Sequence, residues 1–294
     1  MTKNKNHTAF SLIEISMVIL VVGILIAGIS NGVDLYDDYR LKVAQNLTKN
    51  SRVSRIPDLE LWFETTSENS LATGTSTFTD KPNPADLDPI GRWNNINPNI
   101  LPSARNHATQ ATSTNQPQYI RNGINGLPAL KFDGSNDFFS FNGNFLVGSD
   151  YTIFVVETRS VGGISVFLSG NQPSPNKMLI LGYNQFNQII HSHYGSDLVV
   201  GIPTFTSPIS RMHSFLFSKV SGKAIYTNGV TKNFNSSQTS PLTSYAGSAI
   251  ANNRNQNYYN GSIAEMIFYS RTLTDQERQG VETYLSKKWS IKIG

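Results

Sequence analysis

From Ile15 to Val33 no residue carries a charge, and this run (ISMVILVVGILIAGISNGV) constrains the chain more than any other feature. Counted from Phe10, it is long enough to cross a hydrocarbon core of about 30 Å as a helix. Lys3 and Lys5 precede it, and Asp34, Asp37 and Asp38 follow it. That asymmetry predicts an amino terminus on the cytoplasmic side. Glu14 stands inside the apolar stretch, where a charge costs on the order of 2.5–3.5 kcal/mol. The plain reading is a carboxylate that reaches the interface or is protonated. The sharper reading gives it a fixed cationic partner. Tyr36, Tyr39, Val43 and Leu47 continue at helical spacing, with Asp37, Asp38, Arg40 and Lys42 between them. A helix of roughly 65–70 Å is predicted from Phe10 to about Ser54, ending before Pro57.

The residues K-x-K-x-H-T-A followed by F-S-L-I-E-I-S-M-V-I-L-V-V-G-I-L resemble the leader and helix start of type IV prepilins and pseudopilins, with Ala9 where that family usually has Gly. The resemblance covers about 25 residues and implies cleavage by a prepilin peptidase between Ala9 and Phe10, with methylation of the new amine. It also implies that Glu14 pairs with the Phe10 amine of another subunit inside a filament core. The domain organisation expected is a leader at 1–9, a pilin helix at 10–57 that is transmembrane over about 10–33, and a globular domain at 58–294.

From Asp58 onward short apolar runs replace the helical period. Strands are predicted at Leu59–Phe63, Tyr151–Thr158, Ser165–Ser169, Met178–Tyr183, Gln188–His193, His213–Ser218, Lys223–Thr227, Ser248–Ile250 and Ile263–Tyr269. Pro128–Phe132 and Phe138–Phe141 read as one hairpin around Asp133-Gly-Ser-Asn-Asp137. Thr274-Asp-Gln-Glu277 is a capping box opening a last helix whose apolar face is Val281, Tyr284, Leu285 and Trp289. The expected class is α+β: a long amino-terminal transmembrane helix, then an antiparallel β-sandwich of jelly-roll type, then a carboxy-terminal helix. L-x-L-W-F at 59–63, G-R-W at 91–93, H-A-T-Q-A at 107–111, G-I-N-G-L-P-A-L-K-F-D-G at 123–134 and the run from Asn260 to Arg278 resemble laminin-G-like or pentraxin-like domains of the concanavalin A-like group. That superfold hosts lectins, adhesion modules, glycosidases and spacers.

The chain has no cysteine, which excludes disulfides and thiolate chemistry. Its net charge of +4 is not concentrated in any basic run, which argues against nucleic acid as a partner. Glycoside hydrolysis needs two carboxylates about 5–9.5 Å apart, and Glu157 and Glu265 each stand alone in sequence. Asp133, Asn136 and Asp137 are candidate calcium ligands, since laminin-G-like domains often bind that ion; the competing reading is an ordinary turn. His191 and His193 share a strand face and read as an exposed polar pair before a metal pair. Asn252, Asn253, Asn255, Asn257, Tyr258 and Tyr259 combine amides and aromatic rings in one loop and are the candidate carbohydrate contacts.

The reading of the whole sequence is a structural or adhesive subunit of a type IV pilus-like or secretion pseudopilus filament. It implies no catalysis and no cofactor other than a candidate calcium ion. The implied partners are the prepilin peptidase, other pilin subunits, the inner-membrane assembly machinery and a carbohydrate or surface ligand. The implied location is the bacterial inner membrane and then a periplasmic or extracellular filament. The alternative is a membrane-anchored lectin that does not polymerise, or a glycan-active enzyme.

Overall fold

The computed structural model describes residues 12–201, 205–253 and 256–294, with no account of the side chains of 26–31, 33, 34 and 253. It divides into a unit ending at Lys42 and a unit spanning Val43–Gly294. Helix α1 (Leu12–Lys49) carries Glu14 in its first turn, where a carboxylate complements the helix dipole. In the first unit Leu12, Ile13, Met17, Val18 and Leu25 are exposed, and so are Tyr36 (60%) and Tyr39 (66%). Arg40 lies over the Tyr36 ring at 5.6 Å.

The expected membrane anchor over residues 10–33 is corrected: among the described residues no helix is long and apolar enough to cross a membrane. An inner-membrane location with a cytoplasmic amino terminus therefore lacks support.

The second unit is an antiparallel β-sandwich, so the α+β class is corrected as well. Its principal strands are β1 (Leu59–Glu64), β2 (Gln118–Ile124), β3 (Leu127–Asp133), β4 (Tyr151–Arg159), β5 (Ser165–Ser169) and β6 (Ile180–Tyr183). They continue with β7 (Ile189–Ser192), β8 (Asp197–Val200), β9 (Ser210–Ser218), β10 (Gly222–Thr227), β11 (Val230–Asn235) and β12 (Asn260–Tyr269). Among the described residues the first sheet runs β11-β10-β9-β4-β12-β3-β2, and β1 also pairs with β12, Glu64 opposite Glu265. The second sheet runs β8-β7-β6-β5 and continues through Ala249–Ile250, Phe139–Ser140, Ala108–Thr109, Arg92–Trp93, Leu71–Thr73 and Thr79–Asp80.

Strand β4 is buried at every position except Thr158, which is half-buried, because the first sheet is covered on both faces. Phe63, Ile153, Val155, Phe167, Phe215 and Phe268 fill the space between the sheets. The alternate residues Trp62, Phe154, Val156 and Ile267 form a second core with Val281, Leu285 and Trp289. Helix α2 (Asp275–Trp289) supplies that cover, and its Thr274–Glu277 capping box is formed. The last turns of α1 add Ala44 and Leu47 to this core.

The expected hairpin at 128–141 is a crossover instead. Strand β3 pairs with β2 and β12 in the first sheet, whereas Phe139–Ser140 pairs with Ala249–Ile250 in the second. Asp133 Oδ1 accepts the backbone N–H groups of Ser135 (2.8 Å) and Asn136 (3.1 Å), which turns the chain out of one sheet and toward the other.

Candidate functional site

Strand alternation puts Phe139 in the core and leaves Ser140 exposed on the second sheet. Ser140 lies in a groove made of two cavities. The larger, of about 620 Å³, is lined by His107, Thr109, Asn142, Asn144 and Tyr245 among others. The smaller, of about 250 Å³, is lined by Phe138, Asn171 and Asn252, and the two share Ser140 and Gly247. The larger volume falls within the range of small-ligand sites, about 300–1,000 Å³, and the smaller lies just below it. No described lining residue of either cavity is Asp, Glu, Lys or Arg.

The groove is held from beneath. The Tyr245 hydroxyl donates to Ser169 O (3.0 Å), and Ser248 Oγ donates to Tyr245 O (3.0 Å). Gly143 is required beside that ring, since a Cβ there would lie 2.5 Å from both Ser248 Oγ and Tyr245 Cδ1. Gly247 has φ +62°, and a Cβ on it would meet Asn171 Cγ at 2.3 Å. Asn106 Nδ2 donates to Asn142 O (2.6 Å), and Asn142 N donates back to Asn106 Oδ1 (3.1 Å), fixing the loop at one rim. His107 Nδ1 accepts the Asn95 N–H (3.1 Å), so the neutral ring carries its proton on Nε2. Burial, then the charges of Arg92 and Arg105, lowers the His107 pKa and keeps it in that neutral form. The arrangement offers hydroxyl, amide and imidazole groups together with aromatic surface.

The residues singled out from sequence fall in several places. Asn252 is buried and lines the smaller cavity. Asn252–Asn253 pairs with Asn257–Tyr258 in a short ladder, and the half-buried Tyr258 ring lies 6.4 Å from Phe138. The Asn253 side chain and Asn255 lie outside the described residues, as do Ala9 and Phe10. Tyr259 is fully buried, and its hydroxyl donates to Glu157 Oε2 (2.5 Å). Glu14 is exposed on α1. Asp137 Oδ2 accepts the Asp133 N–H (3.0 Å). Burial pushes Asp133 up, but the N–H groups of Ser135, Asn136 and Asp137 outweigh it and hold its pKa low. Burial, then the neighbouring Asp133, raises Asp137 to about 7. Among the described residues no group of three or more His, Asp or Glu could hold a metal ion.

His191 and His193 are corrected from an exposed pair to a buried one, both fully enclosed. The Tyr151 hydroxyl stands 2.6 Å from His191 Nε2 and 2.8 Å from His193 Nε2. Two carboxylates that stand alone in sequence have buried partners in space. Glu157 accepts the Tyr183 hydroxyl (2.6 Å) and contacts His213 Nε2 (3.1 Å). Glu64 and Glu265 share Lys288, whose Nζ is 2.7 and 2.9 Å from their Oε2 atoms. Sequence offered no signal for these sets, because their members come from strands and helices far apart in the chain.

No protein-family model and no curated protein matches the sequence. Similarity is found among solved structures. A Trypanosoma rangeli sialidase in complex with 2,3-difluoro-KDN superposes with a TM-score of 0.54 at 13% identity, over 90% of this chain and 40% of that one. The same organism's sialidase in another structure gives 0.52 at 14% identity, over 81% and 34%. Domain 4 of a GH43 extracellular arabinanase from Geobacillus stearothermophilus, in complex with arabinotriose, gives 0.50 at 13% identity, over 77% of this chain and 98% of that domain. The chain thus spans 34–40% of the length of these two sialidase structures, and at such identities the likeness shows the fold alone.

These matches overturn the pilin reading. The leader motif occupies about 25 residues, whereas the likeness to sialidase and arabinanase β domains covers 77–90% of the chain. The filament subunit is therefore corrected, and with it the prepilin peptidase, the neighbouring pilins and the assembly machinery as partners. The expectation that the chain is not an enzyme is corrected only to this extent: a sialidase and a domain of an arabinanase share its fold, which shows the fold and no activity of this chain.

Proposed function

We propose that this chain is a glycan-binding β-sandwich module of a glycan-active system, holding saccharide in the groove around Ser140. The observation that carries this reading is the groove's lining: hydroxyl, amide and neutral imidazole groups beside aromatic rings, on a floor closed by Gly143 and Gly247. Such a mixture meets both requirements of a sugar, whose hydroxyls donate and accept and whose ring C–H face packs on aromatic surface. Asn252 contributes an amide at the narrow end, and Tyr258 backs Phe138 there. The arabinanase domain with arabinotriose supports the choice of ligand class.

Calorimetric titration of the chain with arabinotriose and other oligosaccharides tests the reading. Ser140→Trp fills the groove from an exposed position shared by both cavities and should weaken binding by about tenfold or more with Tm unchanged. Affinity unaltered by that substitution defeats the proposal. Calcium enters the same reading through the Asp133–Asp137 turn. That turn is organised by its own backbone N–H groups, so binding should be equal in calcium and in EDTA.

A further inference from the structure

We propose that the cavity between the end of α1 and one face of α2 is a second ligand site, which takes a doubly charged oxyanion, phosphate or sulfate. It is independent of the glycan-binding reading and shares no lining residue with the groove.

The cavity, of about 440 Å³, lies within the second unit, and both chain segments that form it are described without interruption. Arg52 and Lys287 bring two positive charges to its lining, and Gln279, Thr283 and Ser51 add an amide and two hydroxyls. Arg52 Cδ lies 3.9 Å from where a Cβ on Gly280 would stand, so the Arg52 stem rests on α2 at the position that lacks a side chain. The carboxylates of α2 do not balance these charges. Asp275 and Glu282 both pair with Arg278 (3.2 and 2.5 Å), and Glu277 pairs with Arg271 (2.6 Å). Among the described residues the side chains of Arg52 and Lys287 make no ion pair and no hydrogen bond, the last carbonyls of α1 included. Ser51 is only 7% exposed, and its Oγ has no hydrogen-bond partner there. An enclosed hydroxyl is normally hydrogen-bonded, so an unpartnered one marks where a ligand oxygen can be received. Two uncompensated cations beside one cavity repel each other, and a multiply charged anion relieves that repulsion. A tetrahedral oxyanion accepts from the guanidinium fork, the ammonium and neutral donors at once. A carboxylate, with one charge and two oxygens, leaves one cation unmatched.

The test is an amide NMR titration of the whole chain with inorganic phosphate and with sulfate, chloride being replaced at a constant ionic strength of about 50 mM. The Arg52 and Gly280 amides should shift saturably. Acetate should bind at least about fivefold more weakly. Galactose 6-phosphate, set against galactose, separates two sources of the same group. Affinity equal to that of inorganic phosphate supports a sugar-borne anion, and binding of the inorganic ions alone supports a free one. Arg52→Gln and Lys287→Gln should each weaken phosphate binding by about fivefold, and the double variant should abolish it. Both side chains are exposed, so Tm should stay within about 2 °C of the parent. Ser140→Trp, which fills the groove, should leave phosphate affinity unchanged. The proposal is overturned if neither phosphate nor sulfate gives a saturable shift, if acetate binds equally well, or if the double variant keeps its affinity. None of those results touches the glycan-binding reading, whose failure in turn leaves this site standing.

Discussion

Lys288 is a single cation serving two enclosed carboxylates, with Glu64, Glu265 and Lys288 all nearly inaccessible. Burial alone would raise Glu64, but Lys288 and the hydrogen bonds of Ser67 and Thr66 outweigh it and lower its pKa. The indoles of Trp62 and Trp289 and the Tyr284 hydroxyl donate to Glu265 at 2.7–2.8 Å. Removing the ammonium leaves two buried negative charges without a cation. Lys288→Ala should therefore lose about 3–5 kcal/mol in urea denaturation. The three interior histidines set the acid limit. Burial lowers His191, His193 (to about 3) and His213, the last despite its bond to Glu157, so each takes up a proton at lower pH in the native state than in the unfolded chain. Below about pH 6.5 the unfolded chain binds more protons, and each such group removes about 1.4 kcal/mol per pH unit until its native pKa is reached. Asp137, raised to about 7, acts oppositely between its ordinary value and 7, because there the native state holds the extra proton. These groups, with the half-buried His107 acting in the same direction, outweigh Asp137 and give a net loss on acidification. Tm should be lower at pH 5 than at pH 7.5 by more than about 5 °C; an equal Tm refutes this account.

At the scale of elements, legibility follows local pattern. Ser165–Ser169 has the same bounds in sequence and structure, and the Thr274 capping box is formed as read, because both signals lie within a few residues. Thr274→Ala should destabilise the domain by about 1 kcal/mol in thermal or urea melts. The Arg271–Glu277 ion pair (2.6 Å) beside the cap remains available to brace the turn. Strand β2 was not legible: Arg121-Asn122-Gly123 interrupts its apolar residues, and the register slips between Ile120 and Ile124. Strand β11 reads Val-Thr-Lys-Asn-Phe-Asn with no fully buried position, so period 2 leaves little trace there. On the last turns of α1 the packed face matches the periodic stripe in part: Val43 is exposed, whereas Leu47 packs on the second core. Ala44, Leu47 and Thr48 are the residues that pack, and Thr48 Oγ1 lies 3.2 Å from the Tyr284 hydroxyl.

For the molecule as a whole, the domain expected to begin at residue 58 has its compact unit beginning at Val43. A chain starting at Asp58 lacks Ala44 and Val53 from the second core and the Gln45 bond to Thr66 O (2.9 Å). It should be less stable than one starting at Val43 by roughly 2–4 kcal/mol, read as the difference in urea midpoints. The groove was only partly legible. Asn252 and Tyr258 were marked by composition, whereas His107, Ser140, Asn142 and Tyr245 converge only after strands from distant parts of the chain pair in the second sheet.

The three tryptophans have a practical bearing on how the chain can be watched. Trp62 and Trp289 donate to the Glu265 carboxylate, and the Trp93 indole donates to Glu64 O (2.9 Å). All three are enclosed, and none lines the groove. Intrinsic emission therefore reports the neighbourhood of Glu64 and Glu265: blue-shifted in the native protein, with one large red shift on denaturation. A sugar titration followed by tryptophan fluorescence should stay nearly flat even at saturation, and a silent optical trace would say nothing against binding measured as heat.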